Sequence, residues 1–454
     1  MRGAESAAAL ELFIKGKVLR ENRRSRQETS QDGKRQSGIA GCMKGTRHES
    51  IQILRGIAAL LIVAHHAICM TNSASGGIVG LFLPSIPALP SFGAVGVDLF
   101  FVISGFVMAH SIGEAGRTRV VSTFLLQRAI RILPMFWLLS GVYILARWSA
   151  GISYAPAAYL NTLTILPIFD GGIYHSPPLF VGWTLGFEFT FYALVALMLA
   201  GSIRRPVECL LLATSTVALA GLFVHHEQAW LAFLLNPILG EFALGVVAWL
   251  FWRRGLPQTL ANLLVMAGAL LLLSGLFIDI GQGFSVNLNE VVWGGSSVWR
   301  LIVWGIPSAM VVTGLACSPA PTDRFSRWLS AIGGASYSLY LVHLLVLAET
   351  FGLAPALHVQ NPYFVVGITM TLCIAVGLGT YRFVERPIQL YLNSIFLPDL
   401  SRPTGAFDRE TKTSYAGNYR ARLRELYVSR STPADAYTAP PECEPAHFAD
   451  HVRR

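Results

Sequence analysis

"LRGIAALLIVAHHA", residues 54 to 67, is the stretch on which the reading of this chain turns. An unbroken apolar run lies between an arginine and two consecutive histidines. The eleven steps from Arg55 to His66 rise about 16 Å along a helix and make about three turns, so these two side chains share a face while His65 turns about 100° away. A helix this apolar belongs in lipid. Ionisable groups there are costly unless they meet a cavity or a partner, so each one is a functional candidate.

Composition agrees with that class. The chain has 454 residues, 53% hydrophobic and 13% charged, whereas soluble globular proteins carry about 25% charged residues. The net charge of +9 comes from basic residues in short clusters between apolar runs and in the two tails. That is the pattern of loops facing the cytoplasm, not of a nucleic-acid surface. Six cysteines are scattered without CxxC spacing, so neither a disulfide framework nor a zinc site is indicated.

Apolar runs long enough to cross about 30 Å of hydrocarbon fall at roughly 52–70, 93–111, 132–149, 183–201, 207–224, 231–251, 259–279, 300–317, 328–349 and 363–381. The expected fold is therefore an all-α, polytopic helix bundle with about ten transmembrane helices. Basic loops (112–131, 202–206, 252–258, 318–327 and the tail) alternate with connections at 71–92, 150–182, 225–230, 280–299 and 350–362 that hold no Lys or Arg. The positive-inside rule then places both termini in the cytoplasm. Residues 150–182 are read as a re-entrant or interfacial loop, because "YLNTLTILPIF" is too short to cross and Pro167, Pro177 and Pro178 break up any helical continuation toward residue 182. Residues 1–50, with eleven Lys or Arg, form a polar leader without the apolar core of a signal peptide, and Met43 is a plausible alternative start. The membrane domain spans 51–390, and 391–454 form a polar cytoplasmic tail.

On this topology Arg55 sits at the inner end of the first helix, and His65 and His66 toward its outer end. Asp98, Glu188 and His343 fall in the outer halves of their own helices, giving one outer layer of ionisable groups with Arg300 capping it. Arg128 and Arg131, spaced i,i+3, can point the same way and share the inner layer with Arg55. Guanidinium groups there make good forks for phosphates, although holding lipid headgroups is an equally simple use. A metal site from His66, Glu188 and His343 is formally available, but no spacing selects it.

These residues, in this order, resemble the acyltransferase 3 family of multispanning bacterial membrane proteins. The resemblance covers about residues 48 to 390. It rests on Arg55 to His66 in "LRGIAALLIVAHHA", on "GVDLFFVISGFVM", on the R-x-x-R pair Arg128 and Arg131 in "LQRAIRILPMFWL", on "WTLGFEFTFYAL" with Glu188, on "SYSLYLVHLLV" with His343, and on "YRFVERP". One departure is "GFE" at 186–188, where related chains often have Asn or Ser and an aromatic before the acid.

The resemblance implies an O-acyltransferase of the bacterial inner membrane, closest in character to the stand-alone exopolysaccharide acetylases. It would move an acyl group, usually acetyl, from cytoplasmic acyl-CoA to a hydroxyl of an exopolysaccharide, a lipopolysaccharide or a lipid-linked carbohydrate. It would work among membrane lipids and polysaccharide-building machinery, without metal or nucleic acid. Arg55, Arg128 and Arg131 would hold the CoA head, whose pantetheine arm of about 15 to 20 Å matches the Arg55–His66 rise. His66 would act as general base or accept the acyl group itself. Glu188 or Asp98 would orient the imidazole, and His343 would assist proton transfer or bind acceptor. The rival reading is a transporter or flippase for a glycan intermediate, with the same polar layer as its relay.

Overall fold

The computed structural model describes residues 49–71, 89–115, 121–201, 203–223, 228–277, 288–356, 358 and 361–397. The leader before residue 49, with its Met43 start, the tail after 397, and the loop arginines Arg117 and Arg119 lie outside the described residues. The chain divides into two compact units, Met1–Asn393 and Ser394–Arg454. The site belongs wholly to the first.

The architecture is a multi-span helical bundle in which eight helices, among the described residues, are long and apolar enough to cross a membrane. In chain order the main elements are α1 (Glu49–Thr71), α2 (Val95–Ala115), α3 (Val121–Ser149), α4 (Pro156–Thr164), α5 (Trp183–Ala200), α6 (Pro206–Ala220), α7 (Leu239–Arg254), α8 (Gln258–Ser274), α9 (Ser297–Cys317), α10 (Arg324–Gly334), α11 (Ser336–Ala356), α12 (Pro362–Thr380) and α13 (Arg386–Phe396). The expected runs at 207–224 and 259–279 correspond to α6 and α8. These have 15 and 17 residues, short of the roughly 20 that a crossing takes.

Two expectations change, and the loop at 150–182 gains detail. The 328–349 run is two elements: the amphipathic α10, then α11. Asp323 caps α10, accepting from the Ser326 backbone N–H at 3.0 Å and its hydroxyl at 2.7 Å, and these bonds hold its carboxyl below the usual range. The third helix begins at Val121, so Arg128 and Arg131 lie inside it, two turns from its start. Between 150 and 182 the chain is not all helix. The nine-residue α4, about 13 Å long, is followed by an antiparallel pair, β1 (Phe169–Asp170) and β2 (Ile173–Tyr174). Gly171 and Gly172 join the strands, both at positive φ, as a two-residue hairpin turn of this twist requires.

Two π-helical turns interrupt the bundle, Leu301–Gly305 within α9 and Tyr381–Glu385 between α12 and α13. Such turns re-aim side chains and are frequent at functional sites; here Arg300 precedes the first and Glu385 closes the second. Pro134 lies inside α3 and withholds one backbone donor. In the turn before it, the Tyr337 hydroxyl donates to the Ile132 carbonyl at 2.8 Å, which ties the arginine-bearing segment to α11.

Large apolar side chains stand exposed along α3 (Trp137, Leu138, Leu145), α8 (Leu263, Met266, Leu270) and α12 (Phe364, Ile368, Leu372). Faces of this kind are suited to lipid chains. Lipid is as apolar as a leucine, so helix association in it depends on close packing through small residues. The α2–α7 crossing is built this way. A Cβ on Gly245 would lie 2.0 Å from the Val102 carbonyl oxygen, and one on Gly105 would lie 2.1 Å from that of Phe242. Around this crossing pack the fully buried Phe187, Phe191, Phe233 and Phe242, with Phe187 stacked on Phe233 at 4.1 Å.

Gly245→Ala should therefore destabilise the purified protein by about 1–3 kcal/mol, the usual cost of overpacking. Gly367→Ala, where a Cβ meets nothing within 4 Å, should be neutral or stabilising. Thermal unfolding in detergent checks the contrast, and equal midpoints for the two variants would exclude a tight crossing at Gly245.

Candidate active site

Two adjoining cavities hold the residues singled out by the sequence. The larger, about 850 Å³, is lined by Arg55 from α1, Arg128 and Arg131 from α3, Ser104 from α2, Glu188 and Tyr192 from α5, and Ser336, Tyr337 and Tyr340 from α11, among others. The second, about 540 Å³, is lined by His65 and His66 from α1, Val97 from α2, Phe180, Val181 and Trp183, Val291, Arg300 and Tyr340. The side chains of Arg55 and His66, on one helix face, thus open into different cavities.

In the arginine cavity, Arg55 Nη2 donates to Ser336 Oγ at 2.8 Å. The Arg128 guanidinium lies 5.7 Å from the ring centroids of both Phe124 and Tyr192, and its buried Nε has no hydrogen-bond partner. Two acids face these cations. Glu188 Oε1 accepts from the Tyr192 hydroxyl and, at 3.5 Å, from Ser104 Oγ. Glu385 accepts from Ser338 Oγ at 2.5 Å and from Gln389 Nε2 at 2.9 Å, within electrostatic reach of Arg131 and Arg55. Three guanidinium groups against two carboxyls leave at least one positive charge in a largely apolar shell. A multiply charged anion is the ligand that such a shell fits.

The histidine cavity is organised by a pair 277 positions apart in the chain. His343 Nε2 lies 3.0 Å from His66 Nδ1, and His343 Nδ1 lies 3.3 Å from the Leu339 carbonyl. A carbonyl only accepts, so the proton of a neutral His343 sits on Nδ1 and its Nε2 is an acceptor. His66 Nδ1–H then donates to it, which leaves the lone pair of His66 on Nε2, the arrangement of a base or nucleophile whose tautomer is fixed by a second group. Phe180 packs edge-on against the His66 ring at 5.3 Å.

The expected single outer layer is therefore corrected. Of its five groups the three histidines cluster, with His66 against both His65 and His343. Glu188 belongs to the arginine cavity. Asp98 forms a buried bidentate pair with Arg300, at 2.7 and 3.1 Å, and Arg300 is a 3% exposed ion-pair partner, not a surface cap. The ring partner of His66 is an imidazole, and neither acid takes the orienting position. His65 also borders the histidine cavity, although turned from the His66–His343 contact, with its Nδ1 3.7 Å from Cys69 Sγ.

Two buried acids escaped the sequence reading. Glu241 of α7 is fully buried, with its carboxyl against that of Asp98, where one shared proton would bond the two, and within electrostatic reach of Arg300. Glu385 lies in the "YRFVERP" segment. Each had a signal, an acid inside or directly after an apolar run. No group of three or more His, Cys, Asp or Glu suited to a metal occurs among the described residues.

The chain belongs to the acyltransferase-domain family Acyl_transf_3, which matches residues 48–380. It is similar to the exopolysaccharide production protein ExoZ of Rhizobium meliloti, 31% identical over 311 residues that cover 66% of this chain and 90% of that protein. It is also similar to the membrane-bound transacylase BcsY of Komagataeibacter xylinus, 26% identical over 366 residues, 75% of this chain and 82% of that one. The acyltransferase MdmB of Streptomyces mycarofaciens is 26% identical over 340 residues, 66% of this chain and 79% of that one. No solved structure matches. Family and relatives together support acyl transfer as the general activity of this membrane protein.

Because Arg300 answers a buried carboxylate, Arg300→Met alone should cost about 3–5 kcal/mol of stability. The Asp98→Asn/Arg300→Met double variant, which buries no unpaired charge, should recover at least half of that loss. Denaturation of wild type, Asp98→Asn, Arg300→Met and the double variant in detergent gives the coupling, and additive losses would show that the two residues act independently.

Proposed function

We propose that this chain is an O-acyltransferase that takes an acyl group, acetyl in the first instance, from acyl-CoA held at the arginine cavity and passes it to a carbohydrate hydroxyl at His66. The observation that carries the reading is the division of labour between the two cavities, with cations for a polyanionic donor in one and an imidazole of fixed tautomer in the other. The carbohydrate acceptor rests on the exopolysaccharide role in the name of ExoZ. In this mechanism the acceptor hydroxyl oxygen bonds the acyl carbon, the C–S bond breaks, and the hydroxyl proton passes through His66 Nε2 to the departing sulfur. An N-acyl imidazole on the same nitrogen is the two-step variant.

The alternation of basic loops with loops that hold no Lys or Arg supports a chain of ten crossings in the bacterial inner membrane, with α6 and α8 as the two short ones. Both termini are then cytoplasmic, with the arginine cavity on the cytoplasmic side and residues 150–182 outside it. A cysteine at Ser176 should react with an impermeant thiol reagent added outside the cell and one at Arg204 should not; external labelling of Arg204→Cys would sink this topology.

The chemistry is tested on purified protein and in cells. Arg128→Ala/Arg131→Ala should weaken CoA binding in a calorimetric titration. Lysine at either position should still cost activity, because a point charge lacks the guanidinium fork. His66→Ala should keep CoA binding and lose acyl transfer by about 10²–10⁴, while His65→Ala keeps much of it, read as acylated polysaccharide in a complemented deletion strain. Unchanged CoA affinity together with an active His66→Ala would favour a glycan transporter instead.

A further inference from the structure

Among the described residues the two cavities share two lining residues, Val97 and Tyr340, each 8% exposed. The Tyr340 hydroxyl donates to the Val181 carbonyl at 2.8 Å and lies 3.0 Å from Thr184 Oγ1, which itself donates to the same carbonyl at 3.1 Å. Thr184 lines the arginine cavity and Val181 the histidine cavity, so this cluster of three oxygens straddles the boundary. Tyr340 also stands one turn before His343 on α11, with ring centroids 6.0 Å apart, and Val181 directly follows the Phe180 that packs on His66.

We infer that Tyr340 is the movable partition between donor and acceptor cavities, and that a thioester anchored at the arginines reaches His66 only when the Tyr340 side chain leaves the Val181–Thr184 latch. The inference rests on the donor reading of the arginine cavity. A wall of backbone would be fixed, but a side chain latched by neutral hydrogen bonds to Val181 and Thr184 is a wall a ligand can move, because the net worth of each such bond is small. The partition matters because an acyl thioester lying beside an activated imidazole is exposed to water. In that side reaction the water oxygen bonds the acyl carbon, the C–S bond breaks, and a water proton goes to sulfur, giving the free acid and CoA thiol. Keeping the thioester apart from His66 until the acceptor is seated suppresses this loss, a known use of active-site closure. Tyr340 is thus a positioning residue, and its signature is the ratio of hydrolysis to transfer.

The test uses the full chain in detergent with acetyl-CoA and no acceptor, following thiol release colorimetrically. Tyr340→Phe keeps the ring and removes the latch, and should raise acceptor-free thiol release severalfold in protein that still folds and still binds CoA. Tyr340→Ala joins the cavities and should raise it further, by about tenfold or more, the equivalent of lowering a barrier by about 1.4 kcal/mol. Adding His66→Ala to either should return release to background, since the leak runs through that imidazole. Acylated polysaccharide in cells should fall for both single variants as hydrolysis rises. Tyr340→Phe with wild-type thiol release overturns the partition, even if Tyr340→Ala fails to fold. A leak that persists without His66 overturns it as well. Wild-type protein that binds no CoA overturns the donor reading beneath it, and the partition falls with that reading.

Discussion

An ionised group inside this bundle has no water to answer it, and every buried charge must be met by another group of the protein. The structure meets that constraint in three ways. Asp98 and Arg300 satisfy each other through two hydrogen bonds, joining α2 to α9, with Glu241 of α7 packed beside them. The His66–His343 hydrogen bond satisfies both rings without requiring a net charge on either. In the arginine cavity the constraint is met only in part: Glu188 and Glu385 cannot neutralise three guanidinium groups, and the Arg128 Nε is left without a partner. The incomplete cavity is the one fitted to a ligand that brings its own negative charge.

Much of the fold was legible because lipid imposes a length. Runs of apolar residues recovered all eight long helices to within a few residues at most ends, Glu49–Thr71 against 52–70 being typical. What the runs could not show was where an apolar stretch changes helix. Nothing in the hydropathy of 328–349 marks the break near Ala335, because α10 is amphipathic and its buried Leu329 and Ile332 read like the start of a span. The hairpin at Gly171–Gly172 was equally hidden in a segment treated as loop, although paired glycines are themselves a turn signal.

The site was half legible for a related reason. Helical rise gives depth, and depth grouped Arg55 with Arg128 and Arg131, which do line one cavity. It then misled at Glu188 and Asp98, because depth says nothing of the direction in which a side chain points around the helix axis. Glu188 turns toward Tyr192 one turn on, and so toward the arginines. Asp98 turns toward Arg300, 202 positions away. Long arginine arms blur depth further, since each reaches several ångströms from its own Cα. Partners so distant in sequence leave no periodic trace in a single chain, and the same holds for His66 and His343.

That His66 is oriented by an imidazole and not by a carboxylate is a consequence of the same dielectric constraint. A carboxylate beside His66 would strengthen it as a base, but it would add a permanent charge to a cavity whose neighbouring acid, Asp98, is already committed to Arg300. An imidazole partner adds none. It fixes the tautomer through one hydrogen bond, with the Leu339 carbonyl one turn back on α11 holding the second ring in register. In the proposed mechanism the charge that arrives when His66 takes a proton on Nε2 is shared across the His66–His343 bond and exists only during transfer. On that mechanism the proton leaves with the sulfur and the cavity returns to neutrality, so no counterion has to be stored beside the proposed base between turnovers.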